Sequence, residues 1–343
     1  MIEKLRDKTD WKNTLPLALK PVSLPTRTTA SIMRTGIGPR VSVLVSTFNH
    51  IEFIDDCIAG ILDQKTSFPF EILVRDDAST DGTKERLVEL AHQYPDRISL
   101  LLETQNTWGY KGPYVQLYQA AQTELLALCD GDDYWINPKK LQSQYDVLCE
   151  QKNCSLVFHP TGIVQGRTYE NGRINELFLP KRLSSARLRK PTNIPIHSVM
   201  LRKYGNFDEN LYLRTFGTDQ LMIATQGMHG YAVNLTNLGV SSVFRRHENG
   251  INTQLDLKKQ NIHAYETYWN IGEEMIKYGD FQAAISWISR SIQLRVKTID
   301  ETARYSIAAI RVPPLRGNRG WWTPTAIRAI LGRILRILRS LKH

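Results

Sequence analysis

Three carboxylates lie within four positions directly behind an apolar run of the chain. Asp130, Asp132 and Asp133 follow Cys129 in the stretch LALCDGDDYWINP, and the nearest basic residue after them is Lys139. Such a cluster is either a solvated turn that caps the next helix or a site for a hard divalent cation. Mg²⁺ and Mn²⁺ both take oxygen ligands, and Mg²⁺ typically binds one or two carboxylates together with substrate phosphates.

A second acidic pair favours the cation over the solvated turn. Asp76 and Asp77 follow another apolar run in FEILVRDDASTDGT, and a turn of small residues comes next. A carboxylate in this position can accept hydrogen bonds from a base or a ribose, as in other nucleotide-binding crevices. The two clusters together predict a site for a nucleotide and a metal ion.

The segments around these clusters alternate between strand and helix patterns. Strands are predicted at 41–47, 70–74, 98–102 and 124–129, and helices at 52–64, after the second strand and near 113–122. This alternation predicts a doubly wound α/β sheet. Ligands bind at the carboxyl ends of the strands in such sheets, and both acidic clusters fall there.

Three stretches resemble the donor half of the family 2 glycosyltransferases, which have the GT-A fold. They are VSVLVSTFN, FEILVRDDASTDGT and CDGDDYWINPKKL, in the family's order and spacing. The resemblance covers residues 41 to about 250 and points to bacterial enzymes that build capsule, lipopolysaccharide or other surface glycans. It implies a domain over 41–255, with a donor nucleotide half at 41–135 and an acceptor half at 136–255.

The resemblance implies an inverting, metal-dependent transfer. The sugar, of the hexosyl or N-acetylhexosaminyl type, would move from a nucleotide-diphosphate sugar, UDP-linked, to a glycan or lipid-linked acceptor. Ser46 and Asp77 would line the nucleotide pocket, with Asp77 on the uracil side and Asp76 close by. Lys111 in GYKGP is a candidate for the phosphates, and Trp135 could stack on a sugar or pack in the core.

The same resemblance implies a metal centre. Asp132 would ligate Mn²⁺ or Mg²⁺ bridging the donor diphosphate, and Asp130 and Asp133 would support it or touch the sugar. FRRHENGIN resembles the family's Arg-x-His loop, in which His247 could reach the metal and Arg245 the phosphates. A structural role for His247 stays open.

On the acceptor side, the resemblance places a general base at the start of a helix in FDENLYLRTFGTDQLMIA. Asp219 matches that position, although the family's usual Glu-Asp pair is Thr218-Asp219 here. The alternative role for Asp219 is that of a charge at a helix N-terminus. His197 and Ser198, in NIPIHSVMLRK, are expected near the acceptor.

Outside this domain the sequence predicts an N-terminal arm at 1–40, a helical appendage at 256–312 with a turn at Gly279-Asp280, and a linker with a basic helix at 313–343. The net charge is +10, and the residues after Glu301 carry nine Lys or Arg and no acidic residue, so the body of the protein is nearly neutral. This distribution does not indicate a nucleic-acid partner.

The terminal segment 321–343 has an apolar half and a cationic half, with two Trp at its start. This pattern predicts binding to an anionic membrane surface, or packing against the catalytic domain or a partner. We find no signal peptide and no membrane span, so we expect reduced thiols and a cytoplasmic protein that is peripheral on the inner membrane. The rival functional hypothesis is a non-catalytic scaffold that binds partners through its helical C-terminal region.

Overall fold

The computed structural model describes residues 19–24, 38–107, 113–175, 179–205, 208–250 and 257–298. Lys111 and the predicted membrane-binding segment 321–343 lie outside these residues. The chain divides into two compact units, residues 1–255 and 256–343. None of the described helices combines the length and apolar composition that a membrane span requires.

The first unit is a mixed α/β structure. Its strands are β1 (Val41–Thr47), β2 (Phe70–Asp76), β3 (Ile98–Leu102), β4 (Leu125–Asp130), β5 (Tyr134–Trp135), β6 (Cys154–Phe158), β7 (Thr161–Gln165), β8 (Thr168–Asn175), β9 (Arg182–Leu183), β10 (Met200–Arg202), β11 (Tyr231–Asn234) and β12 (Ser242–Arg246). Its helices are α1 (Ile54–Leu62), α2 (Thr83–Gln93), α3 (Pro113–Ala120), α4 (Lys140–Glu150), α5 (Ser185–Leu188), α6 (Glu209–Leu213) and α7 (Thr218–Gln226).

Eight strands form the main sheet in the order β3-β2-β1-β4-β10-β6-β11-β9. The first four of these are mutually parallel, and β10 runs antiparallel to both β4 and β6. The predicted α/β class is therefore confirmed. The predicted bounds of β1 and β3 agree with the structure. β2 extends two residues further than predicted and β4 begins and ends one residue later, so that Asp76 and Asp130 are their last residues.

Burial on both faces explains why β1 is mostly apolar. Val43 and Val45 share one face, are fully buried and lie in the same core cluster as Ile58 of α1, and Leu44 on the opposite face is fully buried as well. Each such side chain contributes about 1.5–3 kcal/mol by leaving water. A Cβ atom at Gly60 would lie 2.3 Å from the carbonyl oxygen of Trp135, so the absence of a side chain lets α1 lie directly against β5.

A smaller sheet has the order β5-β12-β7-β8. β12 pairs antiparallel with β5, in a register that opposes Val243 to Tyr134. The residues just before β5 and just after β12 therefore lie at the same end of this pair. Of the predicted arm, Leu19 is buried in the core of this sheet, and its N–H donates to the carbonyl oxygen of Tyr169.

The second unit contains a helical hairpin. Its described helices are α8 (Leu257–Tyr278) and α9 (Phe281–Thr298). The turn lies at the predicted position, where Gly279 adopts a φ of +87° and the carboxylate of Asp280 accepts the Ala283 N–H at 3.0 Å. A Cβ atom at Gly272 would lie 2.5 Å from a side-chain carbon of Ile288, so this glycine permits the close packing of the two helices.

Candidate active site

The carboxyl ends of three parallel strands bring the two acidic clusters to one edge of the main sheet. In the registers of β1 with its two neighbours, Ser46 lies opposite Arg75 of β2 and opposite Asp130 of β4. Thr47 lies opposite Asp76. The predicted nucleotide residue Ser46 thus stands between the acidic pair that follows β2 and the acidic cluster that follows β4.

Asp77 presents one free carboxylate oxygen in a buried setting. The side chain is 3% exposed. Its Oδ1 accepts hydrogen bonds from Arg75 Nη2 at 2.8 Å, Thr107 N at 3.0 Å and Thr107 Oγ1 at 2.8 Å. Its Oδ2 is buried and has no hydrogen-bond partner among the described residues. A buried charged acceptor without a partner is costly, so this oxygen is suited to accept a donor from a ligand.

Asp76, also predicted to lie near the nucleotide, uses both carboxylate oxygens within its own loop. It is fully buried, and it accepts hydrogen bonds from the backbone N–H and the hydroxyl of Ser79. The Ser79 hydroxyl in turn accepts the Asn49 N–H at 2.8 Å, which ties the loop after β2 to the loop after β1. Asp76 therefore helps to hold these two loops together, and both of its oxygens already have partners.

Asp132 and His247, the predicted metal ligands, lie together. Asp132 Oδ2 is 3.0 Å from His247 Nε2 and 3.8 Å from His50 Nε2. One potential ligand atom from each of these residues lies within 4.8 Å of the others, and no other such group of His, Cys, Asp or Glu occurs in the described part of the chain. Burial opposes the ionisation of Asp132, but the two histidines hold the pKa of this carboxyl below its ordinary value.

His50 was missed by the sequence analysis. It lies three residues after β1, at the same strand edge as the acidic residues. Position was the available signal, because a histidine that follows a strand at this edge points to the ligand side of a parallel sheet.

Asp133 joins three parts of the first unit. It is 1% exposed. Its Oδ1 accepts the Arg245 N–H at 2.9 Å, and its Oδ2 lies 2.8 Å from His197 Nδ1. The carboxylate thereby connects the acidic loop to β12 and to a short 3₁₀ helix, Ile196–Ser198. Asp133 holds the neighbours of the predicted metal ligands in place, and both of its oxygens already have partners.

Asp130 is in a different electrostatic state from Asp132. Tyr114 Oη donates a hydrogen bond of 2.7 Å to its Oδ1. Burial, followed by the charges of Asp132 and Asp133, raises the pKa of Asp130 well above its ordinary value. The charge of Asp219 raises it further, so the predicted general base lies within electrostatic reach of the acidic cluster.

Arg245, predicted to contact phosphates, is buried among aromatic side chains. Its side chain is fully buried, and its Nη2 lies 2.8 Å from Asp56 Oδ2. The guanidinium carbon lies 4.5 Å from the Phe53 ring centroid and 4.8 Å from that of Tyr134. These contacts let Arg245 anchor the strand that leads to His247. Its Nε and Nη1 have no hydrogen-bond partner among the described residues, and its phosphate contact stays a prediction.

Asp219 lies in the first turn of α7, directly after the buried Thr218. Burial raises the pKa of Asp219, against hydrogen bonds from Gln220 that lower it. A carboxylate with a raised pKa binds a proton more readily, which is what a general base requires.

Trp135 and His197 form part of the packing beneath the site. Trp135 is fully buried and donates its Nε1 hydrogen to the His197 carbonyl oxygen at 3.0 Å, while Lys140 Nζ lies 3.7 Å from its ring centroid. Of the two roles considered for Trp135, the structure shows core packing. Ser198 is buried as well, and its hydroxyl donates to the Pro195 carbonyl oxygen.

The protein is thus a mixed α/β structure in which two acidic clusters meet at the carboxyl ends of adjacent parallel strands. Residues 42–207 match the model of the family described as glycosyl transferase family 2. These residues, slightly less than half of the 343-residue chain, are the part that is similar to this family. The sequence resemblance is thereby confirmed.

Curated relatives are similar over part of the chain. "Uncharacterized protein Rv1520" of Mycobacterium tuberculosis is 31% identical over 215 residues, which cover 62% of this chain and 60% of the relative. "Uncharacterized glycosyltransferase alr2836" of a Nostoc species is 31% identical over 127 residues, covering 37% of this chain and 38% of the relative. The similarity thus spans less than two thirds of the length of these relatives.

Two solved structures share the fold. Residues 1–349 of S. aureus TarS in complex with UDP-GlcNAc superpose with a TM-score of 0.55 at 18% identity, covering 80% of this chain and 76% of that 1–349 chain. The mannosyltransferase PcManGT of Pyrobaculum calidifontis, in complex with GDP-Man and Mn²⁺, gives a TM-score of 0.50 at 18% identity. The superposition covers 98% of this chain and 94% of the PcManGT chain. The predicted GT-A fold is confirmed.

Proposed function

We propose that the protein is an inverting, metal-dependent glycosyltransferase. It moves a hexosyl or N-acetylhexosaminyl group from a UDP-linked donor to a glycan or lipid-linked acceptor in the synthesis of bacterial cell-surface polysaccharide. The observation that carries this proposal is the placement of Asp132 and His247, as candidate metal ligands, on the same strand edge as the free oxygen of Asp77. The match of residues 42–207 to the family and the two structural neighbours solved with nucleotide sugars support it.

The residues at the edge suit a divalent ion. A carboxylate oxygen of Asp132 and an imidazole nitrogen of His247 are 3.0 Å apart, and the carboxyl groups of Asp130 and Asp133 are close enough to interact with Asp132 electrostatically. These two residues would hold Mn²⁺ or Mg²⁺. When bound, the ion would offset the charge that grows on the departing nucleoside diphosphate.

The free oxygen of Asp77 is suited to the nucleobase. Uracil offers its imide N–H as a donor, and Asp77 Oδ2 is a buried acceptor without a partner in the described residues. Ser46 lines the same edge between the two acidic clusters. We assign Lys111, which lies outside the described residues, to the donor phosphates on the family resemblance alone.

Asp219 acts as the general base in this proposal. It takes the proton from an acceptor hydroxyl while that oxygen attacks the anomeric carbon from the face opposite the diphosphate. The new bond forms from acceptor oxygen to anomeric carbon, the bond from that carbon to the diphosphate oxygen breaks, and the configuration inverts. The raised pKa of Asp219 supports this role, because it strengthens the carboxylate as a proton acceptor.

We further propose that the basic segment 321–343 holds the enzyme on an anionic membrane surface at the cytoplasmic face of the inner membrane. This rests on its sequence pattern, since the segment lies outside the described residues. Such placement would keep the site close to a lipid-linked acceptor.

Calorimetric titration with UDP tests the donor site. We expect the unaltered protein to bind UDP with Mn²⁺ and to lose this binding in EDTA or in the Asp132→Ala variant. Asp96→Ala, which removes an exposed carboxylate between α2 and β3, is the matched control and should bind normally. Equal UDP affinity in all of these samples contradicts the metal assignment. Absence of nucleotide binding by the unaltered protein favours the scaffold alternative.

A further inference from the structure

His50 lies beside Asp132 and His247, and neither the family motifs nor the proposed function assigns it a role. Its Nε2 points toward Asp132 Oδ2 at 3.8 Å, and it shares the three-residue cluster with His247. We propose that His50 is a third protein ligand of the divalent ion, so that two imidazole nitrogens and one carboxylate oxygen hold it. This inference rests on the proposed metal-dependent function.

The ring of His50 is oriented for this role. Its Nδ1 lies 3.1 Å from the hydroxyl of Thr47, a residue that is 2% exposed. When Nδ1 carries the hydrogen and donates it to Thr47, the lone pair of Nε2 faces Asp132. Metal-binding histidines commonly use one ring nitrogen for such an orienting hydrogen bond and the other for the metal.

Hydrogen bonds also fix the backbone of His50. Its N–H donates to Thr83 Oγ1 at 2.8 Å, and its carbonyl oxygen accepts the N–H groups of Phe53 and Ile54. The Phe53 ring in turn lies 4.5 Å, between centroids, from the ring of His247. One short segment between β1 and α1 thus supports both imidazoles, which is the preorganisation that a metal site needs.

Gly131 allows the loop with Asp132 to approach His50. A Cβ atom at this position would lie 2.7 Å from both Cβ and Oγ1 of Thr47, and 3.0 Å from Nδ1 of His50. Any side chain there would push the Asp132 loop away from the Thr47–His50 pair. The absence of a side chain at Gly131 is therefore what allows Asp132 to lie close to His50.

The spacing of the ligand atoms suits a single ion. A first-row metal with bonds of about 2.1 Å separates its ligand atoms by about 3–4 Å. The three atoms here lie within 4.8 Å of one another, so small side-chain rotations would close them around an ion. His50 and His247 are also arranged edge to face, with ring centroids 6.0 Å apart, and do not stack against each other.

A second imidazole changes which ion the site prefers. Mg²⁺ binds oxygen ligands, whereas imidazole suits first-row transition metals. Two nitrogens and one oxygen therefore favour Mn²⁺ and the later divalent ions of that row over Mg²⁺. In the proposed enzyme, His50 makes the site selective for a transition metal.

Electron paramagnetic resonance of the full chain with Mn²⁺ and UDP tests this assignment. We expect nitrogen couplings from two imidazoles in the unaltered protein and from one in His50→Gln, with Mn²⁺ affinity weakened about 10-fold or more in the variant. His92→Gln is the matched control, since it removes an exposed imidazole from the last turn of α2. It should leave both readouts unchanged.

His50→Asp is the second variant, and it keeps the test decisive should the Gln variant fold poorly. By replacing a nitrogen ligand with an oxygen ligand, it should shift competition between the two ions toward Mg²⁺. Two imidazole couplings and unchanged Mn²⁺ affinity in His50→Gln, or an unchanged ion preference in His50→Asp, would overturn the assignment while metal-dependent function stands. A full chain that binds UDP without Mn²⁺ would instead overturn the metal-dependent function, and the His50 inference with it.

Discussion

Replacement of Asp77 by Asn should abolish most of the affinity for UDP without disturbing the surrounding network. The amide oxygen can take the place of Oδ1 and keep the donors from Arg75 and Thr107. The opposite orientation would place the amide N–H₂ against the Arg75 guanidinium, which is unfavourable. The amide nitrogen therefore occupies the position of the free Oδ2 and presents a donor to the imide N–H of uracil.

The loss can be estimated from this geometry. A hydrogen bond to a charged group contributes about 1.5–3 kcal/mol, and a buried donor left unpaired costs about 1–3 kcal/mol. The two terms overlap, so we expect a net loss of about 2–4 kcal/mol. At about 1.4 kcal/mol for each tenfold change, UDP should bind roughly 30- to 700-fold more weakly.

The assay is calorimetric titration with UDP and with CDP in the presence of Mn²⁺. Cytosine carries an acceptor where uracil carries the imide N–H, so the preference of the unaltered protein for UDP should narrow or reverse in Asp77→Asn. Glu103→Gln is the control, because Glu103 lies 3.4 Å from Arg75 in the same network without supplying the free oxygen. If Asp77→Asn bound UDP within about threefold of the unaltered protein, Asp77 would not be the nucleobase acceptor.

The remaining predictions concern the base, a buried lysine and the tail. Asp219→Asn should keep UDP affinity and lower the rate of sugar transfer about 10²–10⁴-fold, and normal turnover by this variant would contradict the assignment. Because burial raises the pKa of Asp219, the rate of the unaltered enzyme should fall as the pH decreases through that pKa. Burial lowers the pKa of Lys140 from 10.5 to about 7. The unfolded chain therefore protonates this lysine below pH 10.5, whereas the folded protein does so only near pH 7, and the folded state loses stability as the pH falls between these two values. The full loss is on the order of 5 kcal/mol, of which the attraction between the charged amine and the Trp135 ring offsets about 2 kcal/mol. In urea unfolding, Lys140→Gln should gain stability relative to the unaltered protein as pH falls from 9.5 to 7, and a constant difference refutes this. The full chain should float with anionic liposomes and a chain ending at Gly320 should not, and equal flotation of both would indicate a packing role for 321–343.

The sheet could be predicted from the sequence because its central strands have a simple signature. A parallel strand buried on both faces is mostly apolar, as β1 is, and the bounds of β1 were predicted to the residue on that basis. The bounds of β3 also agree with the prediction, although this strand at the side of the sheet is partly exposed. Polar residues that follow such runs then fall at the ligand edge. The identity of the candidate residues Asp77, Asp132 and His247 came from motif resemblance, and the structure adds their distances and partners.

The different roles of the carboxylates within each cluster could not be predicted from the sequence. Asp76 and Asp77 are adjacent and chemically identical, yet Ser79 satisfies both oxygens of one, while the other keeps a free oxygen. Asp133 meets Arg245, which is 112 positions away in the chain. Sequence patterns show residue types and the spacing of apolar residues. The roles of these carboxylates depend instead on which residues, distant in the sequence, the fold brings within hydrogen-bonding distance.

The three carboxylates that follow β4 avoid full mutual repulsion because each has a different environment. The two histidines hold the pKa of Asp132 below its ordinary value despite burial, so this residue stays charged. Burial raises the pKa of Asp133 against the opposing effect of His197, and it raises that of Asp130 further still. The protein without ligand thus concentrates its charge on Asp132. A divalent ion bound there would favour ionisation of Asp130 as well, since a nearby positive charge lowers the pKa of a carboxyl. Ion binding at this edge should therefore release protons, and the loop should reach its full negative charge when the ion is present to balance it.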